Sequence, residues 1–323
     1  MIAMMTAMLL GQSALYELDR QTGTLSLAVV EVGDGLNGFG SPSYSPDEQS
    51  IAFDVREKTG RRLWRLFIWD RTTGDAVDVG GGNYPVWSPD GDTLLAQTLY
   101  DDRELTFFPV APPHTPVPLG VRRYSPELSP DGRFVLTNSP NNTPKTESVQ
   151  IDLLTDLAKQ PDGSTLNLGV TIGGRPEFAY SPVNTLPDDR PVLATLVVPT
   201  SGKAETISAI DLTLRGLRAY VGVPRVLLTA GETHTELRYP TAAATSDEVA
   251  FRSTRPDGGY SVGLLRQDVP EAVTELVRVP KGVDLQELRM SPSGRYVCFK
   301  SDLFYKGPID GQLLEPEDLL PGE

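Results

Sequence analysis

Cysteine is nearly absent from this chain of 323 residues: Cys298 stands alone, so no disulfide can form within it. Set inside the apolar run YVCF, that thiol reads as a buried structural group rather than a nucleophile. Histidine is almost as scarce, with only His114 and His234, and the first lies in the proline-rich stretch APPHTPVP. Two histidines and one cysteine in unlike contexts give no expected transition-metal site. There is no Gly-x-Ser-x-Gly elbow, no P-loop and no dinucleotide fingerprint; the glycines Gly80 to Gly82 are expected to join two repeats, not to open a helix. No segment reaches the length of a membrane-spanning helix. Positive charge is also short: the formal net charge is -14 and the isoelectric point about 4.7. The densest basic group, Arg56, Lys58, Arg61 and Arg62, is interleaved with Asp54 and Glu57 and reads as a solvated loop. An acidic surface without a basic stripe argues against nucleic-acid binding.

What the chain has in quantity is turn-forming residues, 30 Gly and 28 Pro, over an apolar content of 39% that can supply a core. They are organised. SPDEQSIAF at Ser45 returns as SPDGDTLLA at Ser88, SPDGRFVLT at Ser129 and SPSGRYVCF at Ser291. A further Ser-Pro stands at Ser181, in SPVNTLPDDRPVLATL, which carries an insertion. ELRYPTAAATSDEVAF, from Glu236, parallels ELRMSPSGRYVCF, from Glu287, and makes a sixth, degenerate copy. The first two gaps, 43 and 41 residues, match one four-stranded propeller blade.

Each copy has one internal order. An extended lead-in ends on a large apolar residue: Tyr44, Trp87, Leu128, Tyr180, Tyr239 or Met290. A turn follows, built by Ser45, Pro46 and Asp47; by Ser88, Pro89, Asp90 and Gly91; by Ser129, Pro130, Asp131 and Gly132; and by Ser291, Pro292 and Gly294. Proline fixes φ there, and Asp-Gly supplies a hydrogen-bonding side chain and a permissive backbone. A short β-rich run comes next, and an Asp-x-x-Thr-Gly hairpin closes two of the units, in LYELDRQTG and LFIWDRTTG. Four short strands per unit without helical periodicity predict antiparallel sheet, and radial packing of such units predicts an all-β, six-bladed β-propeller. Seven blades is the alternative. Residues 1–31 are expected to close the ring with the C-terminal blade, within a single domain spanning 1–323 and monomeric. LFYKGPIDGQLLEP could supply the same strands instead.

The Trp-Ser-Pro-Asp-Gly turn at Trp87 to Gly91 and its sibling from Leu128 to Gly132 resemble the WD-repeat-like propeller motif of the TolB family. That motif also occurs in propellers attached to prolyl-oligopeptidase-type enzymes. The resemblance runs from about Leu15 to Leu314 and implies the fold; its residues make turns and core, so it is nearly silent on function. It implies a scaffold that works with envelope partners in the bacterial periplasm, although the additional N-terminal domain of TolB proper does not precede these repeats. The stretch MIAMMTAMLLGQSA reads either as a truncated secretory signal, favouring a periplasmic or secreted protein, or as a repeat strand of a cytoplasmic one.

Side-chain alternation along each innermost strand separates a set packed between blades from a set facing the channel. The channel set comprises Ser43, Val86, Glu127, Glu177, Glu236 with Arg238, and Glu287 with Arg289; the preceding loops add Asn83, Arg122, Arg123, Gly173, Gly174, Arg175 and His234. Glu236, Arg238, Glu287 and Arg289 form either a mutually neutralising network or a polar binding site at the channel mouth. Arginines at a concave mouth suit carboxylates, whether a small acid or a chain terminus. The expected function is therefore a non-catalytic scaffold binding another protein or a small acidic ligand, with no cofactor. The alternatives are a propeller enzyme using the channel, and a carbohydrate or small-ligand binder displaying Tyr100, Phe107, Phe108 or Tyr260. Calcium held by Asp101 and Asp102 or Asp188 and Asp189 is the one metal considered, though neither pair has the spaced pattern of a calcium loop.

Overall fold

A computed structural model of the chain describes residues 13–29, 32, 36–57, 64–98, 104–132, 134–138, 149–153, 165–166, 177–180, 192–200, 205–215, 218–305 and 314–321. Arg175, Ser181, Tyr100 and the two Asp-Asp pairs lie outside them. The described strands form six antiparallel sheets. Blade 1 runs outward from Ser43–Tyr44 and Leu36–Phe39 through Ser50–Glu57 and Trp64–Asp70 to Ala76–Gly81. Blades 2 and 3 begin at Asn83–Trp87 and Tyr124–Leu128, and blade 4 begins at Glu177–Ala179. Blade 5 begins at Glu236–Ala242 and ends at Val269–Val279. Blade 6 takes its inner strands, Leu285–Met290 and Tyr296–Ser301, from one end of the described chain and its outer strands, Ala14–Asp19 and Thr24–Val29, from the other. Each sheet packs on the next and blade 6 returns to blade 1. The fold is a closed β-propeller.

The repeated turn owes its conservation of residue types to one hydrogen-bond pattern. In blade 2, Ser88 Oγ donates to Asp90 Oδ1 at 2.5 Å and accepts the Thr93 amide at 3.0 Å, while the Gly91 amide reaches Ser88 O. Gly91 sits at φ +77, where glycine alone is free of strain. Ser45 and Ser129 repeat the pattern with Asp47 and Asp131 at 2.6 Å each. In blade 1 the glycine position is Glu48, at φ 60. Its carboxylate crosses to the turn of blade 6, accepting the Ser293 amide at 2.6 Å and the Ser293 hydroxyl at 3.0 Å.

Where the ring closes, the N-terminal strand is held by more than its ladder. Glu17, buried, accepts from Tyr44 Oη at 2.9 Å and from Arg71 Nη2 at 2.6 Å, both on blade 1. The Arg71 guanidinium lies 3.9 Å from the centre of the Tyr296 ring. Arg20 pairs with Glu248 of blade 5 at 2.7 and 2.9 Å. The residue at the other end contributes too: Leu319, in the turn Pro316–Leu319, is fully buried against the outer strands of blades 5 and 6.

Two expected outcomes follow from this packing. The hydrogen bond from Arg20 holds the Glu248 carboxyl below its ordinary value near 4.5. A carboxyl that titrates lower in the folded than in the unfolded chain stabilises fully above the unfolded value, and that contribution is lost as the pH falls through the folded value. Glu248→Gln is thus expected to cost about 1 kcal/mol or less at pH 7, given the pair's partial exposure, and less at low pH as the Glu248 carboxyl is protonated. Urea unfolding at pH 7 and pH 3 measures it; an equal cost at both would contradict the assignment. Second, a Cβ placed on Gly40 would collide with the carboxylate of Asp54, which is buried and accepts the Tyr84 amide at 2.7 Å. Gly40→Ala is expected to destabilise by about 1–3 kcal/mol in the same assay, and a neutral result would show that Asp54 can swing aside.

Candidate functional site

At the end of the ring that carries the Ser-Pro turns, the channel opens into a cavity of about 320 Å³. Its rim is set by the exposed Pro46, Pro89 and Pro130 and the half-buried Pro292. The walls are Tyr44, Val86, Trp87, Leu128, Phe178 and Met290. Trp87 is oriented by its indole, which donates to Ser43 O at 2.9 Å.

The floor is polar. Arg289, from blade 6, donates through Nη2 to Glu127 Oε1 at 2.9 Å and through Nη1 to Glu127 Oε2 at 3.3 Å and to Glu177 Oε1. Its Nε reaches Pro42 O at 3.2 Å. Glu177 Oε2 also accepts the Ala242 amide at 2.7 Å. Blades 3 and 6 face one another in a ring of six, so the guanidinium spans the axis and closes the channel under the cavity. The three side chains are largely withdrawn from water, at 12%, 5% and 9% exposure for Arg289, Glu127 and Glu177.

Sequence reasoning placed Glu236 and Arg238 level with Glu287 and Arg289, and here the structure requires a correction. In blade 6 the inner strand bulges after Gln286, and Arg289 pairs with Cys298. In blade 5 it bulges after Arg238, and Thr241 pairs with Ala250. Tyr239 and Glu287 share the left-handed backbone of the bulge, at φ 49 and 54. The Ala243 amide bonds Glu248 O as the Ser291 amide bonds Tyr296 O. Thr241 is therefore the counterpart of Arg289, Ala242 that of Met290, and Ala243-Ala244 that of Ser291-Pro292. Tyr239 is not the positional counterpart of Tyr44 or Trp87; half-buried, it packs against the core shared by blades 5 and 6, with Arg252 5.1 Å from its ring centre.

Glu236 and Arg238 consequently lie toward the other end of the channel. Arg238 pairs with Glu205 at 3.3 Å and Glu236 at 3.1 Å, and Glu236 also accepts from Thr254 at 2.9 Å. They bridge blades 4 and 5 and do not meet Arg289. Glu287 accepts from Ser41 Oγ at 3.3 Å. Arg123 is buried at the start of the blade 3 inner strand, donating to Arg122 O at 2.9 Å. His234 bonds Ser253 Oγ at 2.9 Å and packs edge-on to Phe251; burial lowers its pKa and favours the neutral ring. Phe108 is core, while Phe107 and Tyr260 are partly buried. Of the predicted channel residues, the structure gathers Ser43, Val86, Glu127, Glu177 and Arg289 around the cavity. It adds Ala242, Ala244, Thr245 and the four prolines, which the alternation pattern did not single out.

Among the described residues no group of three His, Cys, Asp or Glu side chains is placed to hold a metal, and no helix is long and apolar enough to cross a membrane. No family model and no curated protein matches the chain. Solved structures do. A chain of the Kuenenia stuttgartiensis hydrazine synthase aligns over 87% of this chain and 84% of its own, with 12% identity and a TM-score of 0.50. The chain is a β-propeller by likeness as well as by topology. TolB from Acinetobacter baumannii aligns at 14% identity and a TM-score of 0.47 over 90% of this chain, which spans 63% of the TolB chain. A prolyl endopeptidase aligns at 14% and 0.48 over 85% of this chain and 41% of its own. At 12% identity the first of these likenesses speaks for the fold alone.

Proposed function

We propose that this propeller is a non-catalytic binding scaffold that engages a protein partner through the channel mouth at its Ser-Pro end. One observation carries the reading: the mouth is an apolar-walled, proline-rimmed cavity, and the channel beneath it is shut by a buried ion-pair bridge. A closed channel conducts nothing, whereas a rigid concavity with few polar groups at its base suits an inserted side chain or loop. The turns that frame it are pinned by hydrogen bonds, so the cavity is preformed and little ordering opposes binding.

Ala244 stands half-buried on the rim, and Ala244→Trp would fill the mouth from the side without touching the bridge. Tagged wild type and variant, shown to melt alike, are compared by affinity capture from extract of the source cells. Proteins retained by the wild type and lost by Ala244→Trp are the expected result. The same set on both, or nothing on either, overturns the proposal.

A further inference from the structure

Granting that the mouth receives a protein partner, we infer that what enters the cavity is a cationic side chain, lysine or arginine, whose charged end reaches Glu127 and Glu177. The hydrogen-bond geometry of the floor separates this from the opposite choice, a carboxylate bound by arginine. All three nitrogens of Arg289 already donate: Nε to Pro42 O, Nη2 to Glu127, and Nη1 to both Glu127 and Glu177. With two carboxylates already facing the one guanidinium, an incoming carboxylate would add a third negative charge to a buried cluster. An incoming cationic N–H donor instead adds positive charge beside two carboxylates, whose oxygens can each accept more than one hydrogen bond.

The rest of the cavity selects in the same direction. Between the rim and the carboxylates the walls are mainly apolar, Trp87, Leu128 and Met290 among them, with Ser43, Ser129 and Thr245 the polar exceptions. A side chain that bonds the floor must therefore carry its polar group at the end of a long apolar stem, which describes lysine and arginine and excludes serine, asparagine or aspartate. The formal net charge of -14 attracts cations and repels acidic segments over longer range. A small acidic ligand, one of the sequence-based expectations, fits this floor poorly.

Met290 supplies the readout. It is the only methionine among the described residues, the other four being Met1, Met4, Met5 and Met8, and it forms part of the cavity wall. With methyl-13C-methionine labelling, the Met290 signal is assigned through Met290→Leu. It is then titrated with four capped tripeptides, acetyl-Gly-X-Gly-amide, in which X is lysine, arginine, norleucine or glutamate. Saturable shifts with lysine or arginine, at least about tenfold tighter than norleucine and lost for the cationic peptides in Glu127→Gln and in Glu177→Gln, are expected. Norleucine or glutamate binding as well as lysine overturns the inference, as does silence with all four. The wild-type comparison needs no variant to fold. The capture experiment with Ala244→Trp stands apart: a partner lost there while every tripeptide is silent would sink the cationic side chain and leave the mouth as the docking site.

Discussion

Replacing Arg289 with leucine is expected to cost about 3–5 kcal/mol of stability, the cost of removing one partner from a buried ionic cluster. Glu127 and Glu177, both buried, would be left facing one another across the floor without the guanidinium between them. The penalty belongs to the stranded carboxylates more than to any net strength of the bridge, since taking three charges out of water consumes most of what their attraction returns. A second variant separates those two terms. Glu127→Gln, Glu177→Gln and Arg289→Leu combined removes the charges together and is expected to recover most of the loss. Urea unfolding of the single and triple variants decides it. A cost below about 1 kcal/mol for Arg289→Leu, in the range of an exposed pair, would show that the cluster is hydrated and that the channel is not closed there.

Removing residues 1–29 is expected to abolish cooperative folding. Those residues carry the two outer strands of blade 6, Ala14–Asp19 and Thr24–Val29, and the large buried side chains Leu15, Tyr16, Leu18 and Leu25. Each contributes about 1.5–3 kcal/mol by burial, together comparable to the 5–15 kcal/mol that separates a typical folded domain from its unfolded state. The deletion also strips Arg71 and Tyr44 of Glu17 and exposes the edge of Tyr296–Ser301. A peptide spanning residues 13–29, added in trans, is expected to restore the sharp melting transition, because strand pairing and the Tyr16–Phe299 stack, with rings 5.7 Å apart, need no covalent connection. A truncated chain that melts as sharply as the whole would mean that blade 6 is stable with two strands.

Much of the architecture could be read from turns. Ser, Pro, Asp and Gly each answer a local backbone requirement, so their recurrence reports strand reversals whatever surrounds them. Glu127, Glu177 and Arg289 were legible too, because alternation along a strand needs only a known register. The fifth copy shows where this stops. The shared Glu-Leu-Arg of Glu236 and Glu287 invited one alignment, whereas EVAF against YVCF, anchored on the strand after the turn, gives the register the structure has. The strand after the turn is buried on both faces and fixes the register through packing, whereas the shared Glu-Leu-Arg precedes a bulge whose place differs between the two blades. What could not be read at all was the third dimension of the floor. That Arg289 reaches across to blades 3 and 4 as well as to Pro42 of the adjacent blade 1 depends on the diameter of the ring, and Glu48 bonding Ser293 depends on a turn that departs from the repeat.

The small residues of blade 5 have a consequence for whatever binds. Six equal copies would present a mouth with sixfold symmetry, and a visitor could settle in any of six equivalent rotations about the axis. With Ala242, Ala244 and Thr245 on one side and Tyr44, Trp87 and Leu128 on the other, the opening becomes a keyhole with one notch. A partner seated in it has a single azimuth, and everything attached to that partner is pointed in a fixed direction relative to the blades.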